Sequence, residues 1–164
     1  MKKYEYVRVV TSGGLFGGEL QKHREIIDEY AERVKHYMPF TMEIIPDLKN
    51  TKALTFEQQK EREGELILKS LKPDDYVVLL DEGGREFTSV DFAAYIEQRQ
   101  HTVARRMVFV VGGPYGFSPS VYAVAREKVS LSRMTFSHQM VRLFFVEQLY
   151  RAMTILRGEP YHHQ

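Results

Sequence analysis

The chain contains no cysteine. Disulfide staples, Cys-ligated zinc, Cys-bound iron–sulfur clusters and a cysteine nucleophile are therefore excluded. Long hydrophobic runs are also missing. The apolar stretches at residues 76–80 (YVVLL) and 107–111 (MVFVV) are about five residues each, against the roughly 20 that a membrane span needs. The opening residues, MKKYE, hold no apolar core of a leader, so the expectation is a chain without a secretory signal, soluble and cytoplasmic. Net charge is almost absent at +1, which argues against an indiscriminate nucleic-acid binder. No internal repeat, linker or low-complexity stretch divides the chain, and 164 residues suit a single domain over 1–164.

What is present is a globular balance of 43% hydrophobic and 27% charged residues. The small net charge hides a split. Residues 1–98 carry −5, whereas residues 99–164 carry +6, with nine basic residues of which eight are arginine. Arginine forms forked contacts with phosphate, so the basic part points to a polyanion docking on one side. A solvated surface of clustered sign accounts for the same composition.

Patterning predicts five strands alternating with five helices. Strands are expected at residues 4–11, 40–45, 76–80, 107–111 and 128–131, and helices at 19–37, 55–71, 89–100, 119–126 and 138–157. A glycine-rich turn with Gly13, Gly14, Gly17 and Gly18 follows the first strand, and a polar loop spans 46–52. Thr88 with Asp91, Ser118 before Pro119, and Ser137 mark helix starts, and Gly158 with Pro160 marks the last stop. Continuous apolar strands between helices imply a parallel sheet covered on both faces. Ligands of such sheets sit at the C-terminal strand ends, which selects residues 81–87, 112–117 and 132–136. The last helix is apolar around most of its circumference, more than the roughly 100° stripe of a surface helix. A second copy of the chain would cover the excess; a central place within one monomer is the alternative.

Specific motifs are few. Gly112-Gly113-Pro114-Tyr115-Gly116 lets backbone approach a ligand closely. Its spacing is not that of the dinucleotide fingerprint, and no Gly-Lys-Ser/Thr follows as in a P-loop. Asp81 and Glu82 end another apolar strand, where they could bind a metal, act as a base or be solvated. His138 is a candidate imidazole at the start of the last helix. Tyr161, His162 and Arg157 combine an aromatic ring, an imidazole and a cation, a set that base recognition in RNA uses.

Read together, Val77-Val78-Leu79-Leu80-Asp81-Glu82, residues 109–116 (FVVGGPYG), residues 131–136 (LSRMTF), residues 147–152 (EQLYRA) and residues 157–162 (RGEPYH) resemble the ribosomal RNA large-subunit methyltransferase H family, of the SPOUT class. The resemblance implies an α/β fold, a parallel-type sheet flanked by helices, with the C-terminal part tied in a trefoil knot. It implies S-adenosylmethionine as cofactor, held by Leu80, Gly112, Leu131, Ser132, Arg133, Met134, Thr135 and Phe136, and no metal. It implies a homodimer that methylates N3 of a pseudouridine in 23S rRNA within the assembled ribosome, without a membrane partner. The catalytic candidates are His162 as base or orienter, Tyr161 as platform, and Arg142 or Arg151 as charge stabilisers, Arg151 alternatively pairing with Glu147 one turn earlier. A dinucleotide enzyme and a non-catalytic ribosome-binding factor that keeps the fold are the other classes. Gly83 and Ser137 stand where relatives often carry Arg and Pro.

Overall fold

The structure, a computed structural model, describes residues 6–11, 20–46, 48–103, 105–113 and 115–163; the glycine-rich turn expected at 13–18 lies outside them. The elements are β1 (Tyr6–Thr11), α1 (Leu20–Lys35), β2 (Phe40–Ile44), α2 (Phe56–Lys69), β3 (Tyr76–Glu86), α3 (Ser89–Thr102), β4 (Arg106–Val111), α4 (Pro119–Val124), β5 (Glu127–Ser130) and α5 (His138–Leu156), with a 3-10 turn at Thr51–Ala53 in the polar loop. The strict strand–helix alternation predicted from patterning is observed.

The five strands form one sheet in the order β2-β1-β4-β3-β5, and all four pairings are parallel. Alternation along each strand divides the core. Val7, Val9, Val78, Met107, Phe109, Val111 and Val129 face α1, α3 and α5. Val10, Val77, Leu79, Val108 and Val110 face α2 and α4. Every residue of β4 is buried, which is why it reads as an unbroken apolar run. The steps β1 to β2 and β3 to β4 cross one face, and the opposite steps β2 to β3 and β4 to β5 cross the other. All four crossovers thus share one hand, as strand twist requires.

Helix starts follow their caps. Thr88, Ser118 and Ser137 each accept the backbone N–H three residues on. A full capping box at Thr55 and Gln58, which the sequence reading did not single out, opens α2. The last helix lies between α1 and α3 and over β4. Phe145, Val146, Leu149 and Ala152 are buried there, while Met140 and Phe144 remain exposed. Much of its excess apolar surface is therefore covered within one chain.

One boundary differs from expectation. The apolar run ends at Leu80, but β3 continues to Glu86. Val129 of β5 is opposite both Leu80 and Arg85, so residues 81–84 are pushed out of register as a bulge. Gly84 lies in that excursion, and a Cβ there would come within 2.6 Å of the Lys128 carbonyl carbon. Polar composition hid the strand because its later half pairs at the sheet edge.

Two polar locks hold the far end of the sheet. The Asp75 carboxylate, buried, is gripped by Arg106 Nε at 2.8 Å and Nη2 at 2.5 Å. Glu127 accepts from Arg99 Nε at 2.6 Å and Nη2 at 2.8 Å, from the Tyr95 hydroxyl at 3.2 Å, and from the Tyr76 hydroxyl. Burial alone would raise the Glu127 pKa, but the bonds from Arg99, Tyr76 and Tyr95 outweigh it and hold the carboxyl low. A lowered folded-state pKa contributes stability above the unfolded value, lost as pH falls through the folded one.

Removing Asp75 strands a buried guanidinium. Asp75→Ala is expected to lower unfolding free energy by about 3–5 kcal/mol in urea titration. For Glu127→Gln, the deficit relative to the unsubstituted protein should be fullest above about pH 4.5, the ordinary carboxyl value, and shrink as the pH is taken lower. Urea titrations across that range would show it.

Candidate active site

The C-terminal ends of β3, β4 and β5 open into a cleft of about 940 Å³, within the range of cofactor sites. Its floor is the strand ends at Leu80, Val111 and Ser130; its walls are Gly112, Gly113 and residues 115–117 on one side and Leu131, Ser132 and residues 134–137 on the other. Gly112 has to be glycine, because a Cβ there would meet the buried Phe117 ring at 2.9 Å. The neighbouring turn is closed by a bridge between Gly113 and Gly116, and Gly116 adopts φ 83°, a conformation natural to glycine.

The bulge in β3 presents Asp81 and Glu82 to the cleft. Asp81 is fixed in place, since Oδ1 accepts from Gly83 N–H at 2.7 Å and Oδ2 from the Tyr122 hydroxyl. Burial and then this bond push the Tyr122 pKa up to about 12, so the phenol remains a donor. Opposite, residues 131–137 form a self-braced loop. Ser130 Oγ donates to the Ser132 carbonyl at 2.9 Å, and Ser132 Oγ accepts from Met134 N–H at 3.0 Å. Phe136 packs edge-on against Phe144, with centroids 5.3 Å apart. A smaller cavity of about 310 Å³ shares Ser130, Leu131 and Phe136 and extends to Phe87 and Glu147.

The structure thus brings Leu80, Gly112, Leu131, Ser132, Met134, Thr135 and Phe136 around one cleft. Arg133 is not among its lining residues; its side chain is 85% exposed, with Nε 3.7 Å from Glu86. His138 lines the cleft, with Nε2 2.9 Å from Gln139 Nε2. Tyr122, Gln139 and Val141 also line it, and the sequence reading missed them. They sit on helices rather than on strand-end loops, and no motif marks them.

The tail after α5 forms a second constellation. Tyr161 donates to Glu147 Oε2 at 2.7 Å, its oxygen is 3.4 Å from that of Tyr30, and its ring meets Tyr150 edge-on. Burial first, then the bonds to Tyr30 and Glu147, raise its pKa. Arg151 binds the same Glu147 oxygen at 2.7 Å, lies over the Tyr161 ring, and reaches His162 Nδ1 at 3.1 Å. A guanidinium only donates, so Nδ1 is the acceptor and the neutral imidazole carries its hydrogen on Nε2. Arg142 does not join this group. It is 1% exposed and, nine positions earlier on α5, lies about 13 Å along the axis from Arg151.

Glu147 is thus the peg on which the tail hangs. Glu147→Ala is expected to leave α5 folded while the amides of Gly158 and Glu159, which donate to the Ile155 and Thr154 carbonyls, lose hydrogen-exchange protection by at least roughly ten-fold, the loss of the Tyr161 hydrogen bond to a charged group.

A family described as predicted SPOUT methyltransferase matches residues 15–162. A Parabacteroides distasonis protein named ribosomal RNA large subunit methyltransferase H is 66% identical over 140 residues, 85% of this chain and 89% of the relative. The protein of that name from Phocaeicola vulgatus is 64% identical over 149 residues, 90% of this chain and 95% of its own. That from Christiangramia forsetii is 60% identical over 139 residues, 85% and 88% respectively. With such matches along nearly the full length, the chain belongs to the SPOUT methyltransferases and, among them, to the ribosomal RNA large subunit methyltransferase H family.

Proposed function

We propose that this protein transfers a methyl group from S-adenosylmethionine to N3 of a pseudouridine in 23S rRNA, acting in the cytoplasm on the assembled ribosome and as a homodimer. The observation that carries the reading is the one cleft built from Leu80, Gly112, Leu131, Ser132 and residues 134–136, in a chain whose relatives are named for rRNA methylation.

The cleft suits that cofactor chemically. Leu80, Val111, Leu131, Phe117 and Phe136 supply apolar walls, Asp81 and Glu82 supply negative charge toward a cation, and Gly112 leaves backbone open where a side chain would not fit. Leu80, Gly112, Leu131, Ser132, Met134, Thr135 and Phe136 would hold it, with Arg133 beside the rim. When bound, it supplies a sulfonium methyl, an electrophile that needs placement more than activation. Met134, 73% exposed, and Phe136 at the rim would shield the reacting centre from water once RNA closes over them.

The tail residues take roles fitted to their bonding. Tyr161 stays protonated and is a ring platform, not a base. His162 has Nδ1 committed to Arg151 and offers Nε2–H. It therefore orients the uracil-type ring and stabilises the charge that develops as N3 loses its proton. Arg151 is the positioning residue behind it. Arg142, buried, would stabilise charge from within the fold.

A C-terminal trefoil knot is part of the proposal. Its support is the order β4-β3-β5 with α5 lying against both α1 and α3. Residues 131–137 must cross the top of β3, where the connection to α3 also leaves the sheet. Support for the homodimer is the apolar rim of Met134, Phe136, Met140 and Phe144, all exposed in the single chain.

Calorimetry on the folded protein should show S-adenosylmethionine and S-adenosylhomocysteine binding. Gly112→Val, whose branch would collide with Phe117, should weaken both at least roughly ten-fold, a difference of about 1.4 kcal/mol, with an unchanged circular dichroism spectrum; no heat from the unsubstituted protein would overturn the reading. His162→Ala should leave cofactor affinity intact but slow methyl transfer to unmodified ribosomes by roughly a hundred-fold, the usual loss of one transition-state donor.

A further inference from the structure

Among the described residues, two aromatic rings at the surface stack face to face. Phe56 is 60% exposed and Tyr115 40% exposed, and their rings lie 4.3 Å apart between centroids at an interplanar angle of 19°. Neither ring reaches a core cluster. Exposed apolar rings held in one geometry carry a cost without a ligand, and both are held from below. Phe56 is the first residue of α2, directly after Thr55. That cap is locked both ways: Gln58 N–H donates to Thr55 Oγ1 at 3.1 Å, and Thr55 N–H to Gln58 Oε1 at 2.8 Å. Tyr115 sits in the turn closed by Gly113 and Gly116.

Position gives the pair meaning. In a parallel sheet α2 starts at the same end as the strand C-termini, so the stack stands beside the cleft, which Tyr115 itself lines. Tyr115 covers one face of Phe56, so the remaining exposure of Phe56 is its outer face and edge. Residues 48–56 leading into it contain exposed Lys49 and Lys52 and no acid. Lys60, one turn along α2, is paired with Glu57 at 3.3 Å.

We propose that the Phe56–Tyr115 stack is a docking platform for one unpaired base of the RNA substrate, neighbouring the base that enters the cleft. Phe56 takes that base on its outer face, and Lys49 and Lys52 meet the flanking phosphates. The inference rests on the rRNA reading above. A flat, rigid ring flanked by flexible cations is the chemistry that captures a splayed nucleobase. Every base offers a π face, so the platform adds affinity and register without demanding a particular sequence.

The test uses the full chain and an RNA hairpin with 2-aminopurine in the loop next to the target uridine-type base. Binding to the unsubstituted protein should quench the 2-aminopurine. Phe56→Ala should abolish the quench and weaken hairpin binding roughly ten-fold, the loss of one base–aromatic stack. Phe56→Trp should retain both. S-adenosylmethionine affinity should stay within two-fold in each, since Phe56 does not line the cleft. Equal quenching by the Ala variant, equal losses in Ala and Trp variants, or a change confined to self-association in sedimentation would each overturn the platform. Methyl transfer by the unsubstituted protein to unmodified ribosomes reads the underlying function separately. Transfer with no effect of Phe56 sinks the platform alone; quenching without transfer supports the platform and sinks the methylation reading.

Discussion

The parallel pairing of β5 with β3 around Val129 is the constraint from which the site follows. Because Val129 is opposite both Leu80 and Arg85, the four residues between them have no partner in the ladder. They leave the sheet carrying Asp81 and Glu82, and a backbone that would otherwise have been a plain edge strand becomes a wall of the cleft. Gly84 permits the close approach of Lys128 that makes this possible. The same pairing puts the end of β5 beside the end of β3. Residues 131–137 therefore begin at the cleft rather than away from it. Without that register, three separate strand ends would remain, and no common cavity would join them.

The distribution of arginine shows how composition and structure diverge. The basic surplus of residues 99–164 suggested a surface for a polyanion. Four of its eight arginines are spent inside the fold. Arg106 grips Asp75, Arg99 grips Glu127, Arg151 holds Glu147, and Arg142 is buried. Arg105 pairs with Asp74. The cations that face outward, Arg105, Arg126, Lys128, Arg133 and Arg157, are fewer than the charge count implies, and Arg105 and Arg133 are paired with acids. On the proposed function, phosphate contact falls to a handful of side chains, and flat rings become correspondingly more important.

Much of the fold was legible because its physics is local. Ser118 before Pro119 and Ser137 announced their helices, and the unbroken run of β4 announced a strand buried on both sides. The strand-end rule found the cleft before any geometry was known. Two kinds of feature escaped. The later half of β3 is polar and glycine-containing, so its extended state depends on β5 rather than on its own residues. Tyr122, Gln139 and Val141 reach the cleft from helices, and only the assembled layers bring them there. The burial of Arg142 was not legible either: nothing in the sequence distinguishes a buried arginine from an exposed one. The ring pair Phe56–Tyr115 joins residues 59 positions apart, a distance no pattern spans.

The placement of α5 bears on how the molecule is made. This helix follows every strand in the chain, yet it fills the middle of a face between α1 and α3. Until it arrives, the sheet can pair completely while the groove above β4 stays open to solvent, with Phe109 uncovered. Ordering of that face is therefore deferred until α5, which follows all five strands, is in place. The partners it must join were formed long before, at large separations along the chain, a topology that folds slowly. Until α5 docks, the apolar face formed by Val7, Val9, Phe109 and Val129 lacks the cover that this helix supplies.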